Sequence, residues 1–236
     1  MINRSFKWIA QHQVTSFLVL TFGLSWFFFW LSFVVFAENR LAQGLCGKIA
    51  AFGPALVAML VSAIAYPGPK VYQTRVRLMI FGAVWLVSWA ILLAYLSLVL
   101  QIPMRTAVII VFGVVALLPA WVISASRSSI PGVRAQFSTL WKPRGPFGWY
   151  VVALMSYPIV LLIGATIAAL MGENIAFRNL TIGNAVLLPF LMFADGYLTS
   201  GGVNEESGWR GFLLPRLRRR QSVLVAAVTV WFVWAS

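Results

Sequence analysis

The chain has 236 residues, of which 61% are hydrophobic and only 10% are charged, and its mean hydropathy is +0.89. Soluble domains average about 45–50% apolar and about 25% charged residues, so this composition excludes a water-soluble globule and predicts an integral membrane protein. The 18 Lys and Arg against five Asp and Glu give a net charge of +13; because the basic residues fall between apolar runs, we attribute them to membrane topology and anionic lipid headgroups, and we expect no nucleic-acid partner.

Six apolar runs are long enough to cross roughly 30 Å of hydrocarbon as helices. They lie at 14–36, 49–66, 78–100, 106–124, 149–171 and 184–203. The first run exceeds the length of a signal-peptide apolar region, about 7–15 residues, and is predicted to be a retained helix. A seventh run begins near Ser222 and reaches only about 22 Å before Ser236, which predicts a helix cut short in a truncated or frameshifted chain. We therefore predict one all-α domain over residues 1–236, a polytopic transmembrane helix bundle with about six complete spans and a seventh cut short.

The basic residues predict the orientation of this bundle. With the N-terminus in the cytoplasm, 14 of the 18 Lys and Arg fall in inside segments and four (Arg40, Lys48, Arg105 and Arg178) in outside segments. This asymmetry is typical of the positive-inside rule. We expect a multi-pass protein of a bacterial-type plasma membrane, with an amphipathic segment at Pro131–Phe147 along its inner surface.

Two adjacent glutamates are the main chemical anomaly in a chain so poor in acids. Glu205 and Glu206 directly follow the sixth apolar run, and an ionisable residue near membrane depth is costly and therefore a functional candidate. Arg210 lies four residues after Glu206 on the same helix face, so these two side chains are expected to pair. Glu205 is rotated by about 100° and points elsewhere. Its neighbour's charge and desolvation are expected to raise its pKa, which suits a general base acting on water. The alternative is that all three residues are headgroup-level charges that neutralise one another.

The segment from Glu205 to Leu217 resembles the first signature motif of the CAAX-protease and bacteriocin-processing (CPBP) family of intramembrane endopeptidases. The resemblance covers Glu205-Glu206-x-x-x-Arg210 and the continuation Gly211-Phe212-Leu213-Leu214-Pro215-Arg216-Leu217, within a motif region at 200–236. Phe52-Gly53-Pro54-Ala55 is a weaker match to a segment common in these proteins. The resemblance implies a helical bundle open to the cytoplasm, with Glu205 polarising the water that attacks an amide and with Glu206 and Arg210 in supporting positions. It also implies peptide, prenylated or leader-bearing protein substrates, besides membrane lipids.

The chain departs from this pattern after residue 230. Trp231-Phe232-Val233-Trp234-Ala235 fits the second motif of the family except that Ala235 stands where a histidine is expected, and the third motif, which supplies oxyanion-stabilising groups, is absent. A divalent metal has been one proposal for the family, but the histidine ligands are missing here. We therefore expect weak or no peptidase activity. The alternative is a non-catalytic membrane interaction or bacteriocin-immunity protein of the same family. A transporter or channel would need polar residues in several spans, and the first five runs contain almost none.

Overall fold

The computed structural model describes residues 4–69, 72–142, 145–172 and 182–235, and these ranges contain helices and turns but no β-strand. The predicted all-α class is therefore confirmed. The α-helices of the described ranges are α1 (Arg4–Gln11), α2 (Gln13–Trp30), α3 (Arg40–Ala51), α4 (Gly53–Ala65), α5 (Thr74–Ala94), α6 (Thr106–Val115), α7 (Leu117–Ser124), α8 (Pro131–Phe137), α9 (Phe147–Leu170), α10 (Ile182–Thr199), α11 (Glu206–Gly208), α12 (Leu214–Leu217) and α13 (Val223–Ala235). Short π or 3₁₀ turns extend or join them at Leu31–Val35, Tyr95–Val99, Ala125–Arg127, Ser138–Trp141 and Trp209–Leu213.

Four helical segments of the described chain are long and apolar enough to cross a membrane. They are Gln13–Val35, Thr74–Val99, Thr106–Arg127 and Phe147–Leu170, and the number rises to five if α3 and α4, which meet at a 45° bend, count as one span. The apolar parts of α10 and α13, Leu187–Thr199 and Val223–Ala235, are shorter. The structure thus supports a membrane protein with four or five candidate spans, against the six complete spans expected from hydropathy.

The bend between α3 and α4 explains one difference from the predicted runs. The predicted run 49–66 begins only at the end of α3, because the polar residues before it were assigned to an outside connector. Asn39 caps α3 through its side chain, which accepts a hydrogen bond from the Ala42 N–H at 3.1 Å. Pro54 then stops α3 from continuing, since its ring would clash with the carbonyl four residues earlier, and it fits the first turn of α4. Lys48 consequently lies within a helix.

The short helix α8, which begins the segment expected along the inner membrane surface, packs against α4. Gly132, Val133 and Phe137 are buried, and the Gly132 N–H donates a hydrogen bond to the Tyr66 carbonyl at 3.1 Å. A Cβ at position 132 would lie 2.3 Å from the Ser62 carbonyl oxygen, so only glycine allows this approach. Hydropathy missed the contact because a seven-residue helix carries too few apolar positions to signal burial.

The core that supports the candidate site lies between α2, α4 and the segment after α10. Phe17 of α2 stacks on Phe212 with ring centroids 4.9 Å apart and meets Trp209 edge to face at 5.4 Å. Val57 and Val61 of α4 belong to the same cluster. By contrast, no described side chain of α9 is buried, and its large apolar side chains that the structure describes point outward, as expected of a lipid-facing helix.

Candidate functional site

The candidate site is built on a tight turn that interrupts the chain between α10 and α11. The N–H of Val203 bonds back to the Tyr197 carbonyl at 2.8 Å, and the N–H of Glu205 bonds to the Gly201 carbonyl at 3.1 Å. A Cβ at Gly202 would lie 2.7 Å from the carbonyl oxygen of Tyr197, so the turn requires glycine there. The turn places Glu205 immediately before α11, with Glu206 as its first residue.

Asn204 fastens this turn to the bend between α3 and α4. It is fully buried; its side-chain amide donates to the Ala51 carbonyl at 3.2 Å, and its own carbonyl accepts the Ala55 N–H at 3.1 Å. Both bonds satisfy backbone groups left without helical partners where α3 stops and α4 starts. The bonds hold residues 52–55 next to the residue that precedes the motif segment 205–217.

Gly208 brings α11 onto the first turn of α4. A Cβ at position 208 would lie 2.5 Å from Cβ and 2.7 Å from the carbonyl oxygen of Pro54. The absence of a side chain at Gly208 therefore permits α11 to approach α4 closely.

A π-helical turn, Trp209–Leu213, widens the helix between α11 and α12. Pro215 accounts for it, because a proline ring clashes with the carbonyl of residue i−4 in a regular α-helix, here Gly211, and widening relieves the clash. The turn keeps Arg210 on the face of Glu206 and turns Phe212 and Leu213 into the core.

Glu206 and Arg210 form the ion pair expected from their spacing. Nη1 of Arg210 donates to Oε1 of Glu206, and the two side chains are 67% and 38% exposed for arginine and glutamate, respectively. An ion pair this exposed contributes at most about 1 kcal/mol to stability. Its main effect is to give the carboxylate of Glu206 a fixed partner and direction.

Glu205 points to a different neighbour, as its rotation on the helix predicts. Its Oε2 accepts a hydrogen bond from the indole N–H of Trp234 in α13, at 2.7 Å. The turn that carries Glu205 lies outside the spanning helices. Burial raises the pKa of Glu205, and the charge of Glu206 also raises it. The hydrogen bond from Trp234 and the charge of Arg210 lower this pKa and so offset part of the increase. Glu205 is thus a half-buried carboxylate with a single described hydrogen-bond donor, whereas its neighbour is neutralised by a guanidinium.

A cavity of about 250 Å³ lies beside the Glu206–Arg210 pair. It is lined by Glu206, Trp209, Arg210, Leu214, Ala227, Val230, Trp231 and Trp234. Three tryptophans and aliphatic side chains form its walls, and the Glu206–Arg210 pair forms its polar edge. Such a cavity combines apolar volume with a few polar groups, which is the composition of small ligand sites.

A second polar cluster, which sequence reasoning missed, lies at the end of α10, before the turn that carries Glu205. The Lys48 ammonium donates to Oγ1 of Thr199 at 2.9 Å, to Oγ of Ser200 at 2.8 Å and to the Thr199 carbonyl at 3.3 Å. Both hydroxyls in turn donate to the carboxylate of Asp195, at 2.6 Å from Thr199 and 3.2 Å from Ser200. Lys48 was assigned to a connector and Asp195 was read as part of an apolar run, so only their folding together reveals the cluster.

The residues described here do not make a divalent-metal site. No three His, Cys, Asp or Glu side chains of the described ranges lie close enough to share an ion. Glu205 and Glu206 supply two carboxylates, one of them committed to Arg210, and His12 lies beside α2, far along the chain from both.

The segment Trp231–Ala235 forms the last turn of α13, with Trp231 and Ala235 four residues apart on one face. Trp231 and Trp234 line the cavity beside Glu206, and Ala235 is exposed.

Comparison of the chain with protein-family models, curated proteins and solved structures gave no match.

Proposed function

We propose that this chain is a membrane-embedded peptide hydrolase of the CAAX-protease and bacteriocin-processing type, in which Glu205 is the base that activates water. The observation that carries the proposal is the different environment of two adjacent carboxylates. Glu206 is paired with Arg210, while Glu205 is half-buried and held only through Oε2 by Trp234 among the described groups. Adjacent carboxyl groups in different surroundings can take different roles in acid–base catalysis.

The chemistry follows from this division of roles. With Oε2 held by Trp234, Oε1 accepts a proton from water while the water oxygen attacks the carbonyl carbon of the scissile amide. The tetrahedral intermediate collapses as the C–N bond breaks, and the proton on Glu205 passes to the leaving amine. Arg210 lines the cavity, and we expect its guanidinium to stabilise the developing negative charge.

The topology that we propose for this function keeps the N-terminus cytoplasmic and counts six crossings. These are the six apolar runs at 14–36, 49–66, 78–100, 106–124, 149–171 and 184–203. Fourteen of the 18 basic residues then fall at one side of the membrane, which the positive-inside rule assigns to the cytoplasm of a bacterial-type cell. The test is labelling of single cysteines in a Cys46→Ala background with a membrane-impermeant maleimide. Arg218→Cys is expected to be labelled only after the membrane is opened, and Glu38→Cys in intact cells; the reverse pattern would overturn the orientation.

Ala235 limits the rate in this proposal. The position shares a helix face with Trp231, on the wall of the cavity beside Glu206, and alanine offers no group to hold the water. We expect the natural chain to be slow and Ala235→His to accelerate cleavage, since a positioned histidine contributes about 10²–10⁴ in rate as a general acid or base.

The experiment is cleavage of a membrane-tethered peptide library by the chain in proteoliposomes, read by mass spectrometry. Four forms are compared: the natural chain, Ala235→His, Ala235→His with Glu205→Gln, and Ala235→His with Glu38→Gln as the matched control. Cleavage by Ala235→His that is lost with Glu205→Gln and kept with Glu38→Gln supports the proposal. Cleavage that survives Glu205→Gln contradicts it.

The second candidate function is a non-catalytic membrane interaction or immunity protein, and Ala235 is the observation that favours it. In that case no form cleaves the library, including Ala235→His. Cross-linking of the natural chain in its own membrane should then recover a protein partner whose contact is unaffected by Glu205→Gln.

A further inference from the structure

One end of the bundle collects several arginines around a cavity that the site above does not use. The cavity has a volume of about 520 Å³ and lies between the start of α2 and the turn after α12. Its polar walls include His12, Gln13, Arg216, Arg219 and Arg220. A volume of this size is in the range of small-molecule binding sites.

Arg216 is held in the wall of this cavity. Its Nε donates to Oε1 of Gln13 at 2.8 Å, its Nη1 donates to the Phe212 carbonyl at 2.9 Å, and its guanidinium lies 3.5 Å from the centroid of the Phe212 ring. Burial lowers the pKa of Arg216 to about 10, and the charge of Arg219 contributes to the change. The guanidinium is thus half-buried, oriented and next to a second positive charge.

No carboxylate of the described ranges balances these charges. Glu38, Asp195, Glu205 and Glu206 are the acids in those ranges, and none of them lines the cavity. The ion pair found in the described residues joins Glu206 to Arg210, outside this cavity. Removing a charge from water without a counter-charge is costly, so a half-buried guanidinium in such surroundings favours an anion from outside the chain.

The start of α2 adds to the positive potential of the cavity. Residues 13–15 line it, and His12 makes no side-chain hydrogen bond that would cap the helix. The first N–H groups of a helix have no intrahelical acceptors and favour an anion. Arginine forks match the oxygens of a phosphate particularly well.

We propose that this cavity binds a phosphate-bearing anion, held by Arg216, Arg219 and Arg220 against the first turn of α2. The source of the phosphate is either the headgroup of an anionic lipid or free phosphate. The proposal does not rest on the hydrolase assignment, since neither Glu205 nor Trp234 takes part in it.

The experiment measures ligand binding to the purified full chain in a neutral detergent, by native mass spectrometry and by the shift in apparent Tm. The probes are short-chain phosphatidylglycerol, short-chain phosphatidylcholine and inorganic phosphate. The variants are Arg216→Gln, Arg219→Gln and Arg220→Gln. Arg218→Gln is the matched control, because it removes the same charge from the same segment and Arg218 does not line the cavity.

We expect Arg216→Gln and Arg219→Gln each to weaken phosphatidylglycerol binding about tenfold or more, as loss of a charge-assisted hydrogen bond predicts. The affinity of Arg218→Gln for phosphatidylglycerol should stay within about twofold of that of the natural chain, because this variant changes only the general surface charge. Arg219→Gln and Arg220→Gln carry the test if Arg216→Gln fails to fold, because both side chains are exposed.

The two anionic probes identify the source of the phosphate. Tighter binding of phosphatidylglycerol than of inorganic phosphate supports a lipid headgroup, and equal or tighter binding of inorganic phosphate supports a free anion. The proposal is overturned if neither anion binds better than phosphatidylcholine, or if Arg218→Gln weakens binding as much as Arg219→Gln does.

Discussion

The indole N–H of Trp234 lies 2.7 Å from Oε2 of Glu205 and donates a hydrogen bond to it. These residues are far apart in the chain, on α13 and in the turn before α11. The bond ties the last described helix to the one carboxylate of the motif that no arginine neutralises. Through it, the orientation of Glu205 depends on how α13 packs.

Trp234→Phe tests this dependence. The bond stabilises the ionised carboxylate, so its loss should raise the pKa of Glu205 further. Because a general base must be ionised, the acidic limb of the pH–rate profile of the Ala235→His chain should move to higher pH. The control is Trp231→Phe, which changes a neighbouring cavity wall and leaves the bond intact. An unchanged acidic limb in Trp234→Phe would show that the bond does not control the ionisation of Glu205.

Glu205→Gln should make the protein slightly more stable near neutral pH. A carboxyl whose pKa is higher in the folded than in the unfolded state stabilises the fold fully below its unfolded pKa, and this stability is lost as pH rises through the folded pKa. Glutamine removes the buried charge and still accepts the Trp234 bond. Because Glu205 is half-exposed and solvent screens it, we expect an increase of only about 2 °C in apparent Tm at pH 7. The increase should vanish at pH 4; an equal increase at both pH values would point to a cause other than ionisation.

Gly208→Ala should destabilise the fold. The added Cβ would lie 2.5 Å from Cβ of Pro54 and 2.6 Å from its carbonyl carbon, atoms that move only if α4 moves. Overpacking of this kind costs roughly 1–3 kcal/mol. Gly164→Ala is the control, since no heavy atom lies within 4 Å of a Cβ there and alanine favours the helix. Apparent Tm in detergent should fall for the first variant and hold or rise for the second.

The Lys48 cluster predicts a coupling between α3 and α10. Lys48→Met leaves the buried Asp195 carboxylate with its two hydroxyl donors but removes the ammonium that those hydroxyls connect to it. Breaking a buried pair by removing one partner typically costs about 3–5 kcal/mol, whereas removing both charges is often close to neutral. We therefore expect Lys48→Met to be less stable than the double variant Lys48→Met with Asp195→Asn. The single variant Asp195→Asn completes the double-mutant cycle. Additive effects of the two substitutions would show that the hydroxyls do not transmit the interaction.

The sequence predicted the parts of the site that depend on local geometry. The Glu206–Arg210 pair follows from a four-residue spacing, and the divergence of Glu205 from Glu206 follows from the rotation per residue of a helix. The sequence could not predict the partners of the site residues. Trp234, Asn204 and Lys48 act through contacts across 29, 153 and 151 residues of chain, respectively, and no spacing rule covers such separations.

Composition and hydropathy alone determined that this protein is helical and belongs in a membrane, because apolar surface on this scale has no other solvent and a backbone in lipid must satisfy its own hydrogen bonds. Tertiary structure alone decided where the helices break and what they meet. Pro54 ends α3 against a turn that Asn204 fastens, and Gly132 lets α8 approach α4. These outcomes depend on steric fit between distant segments, a property that no single segment of the sequence contains.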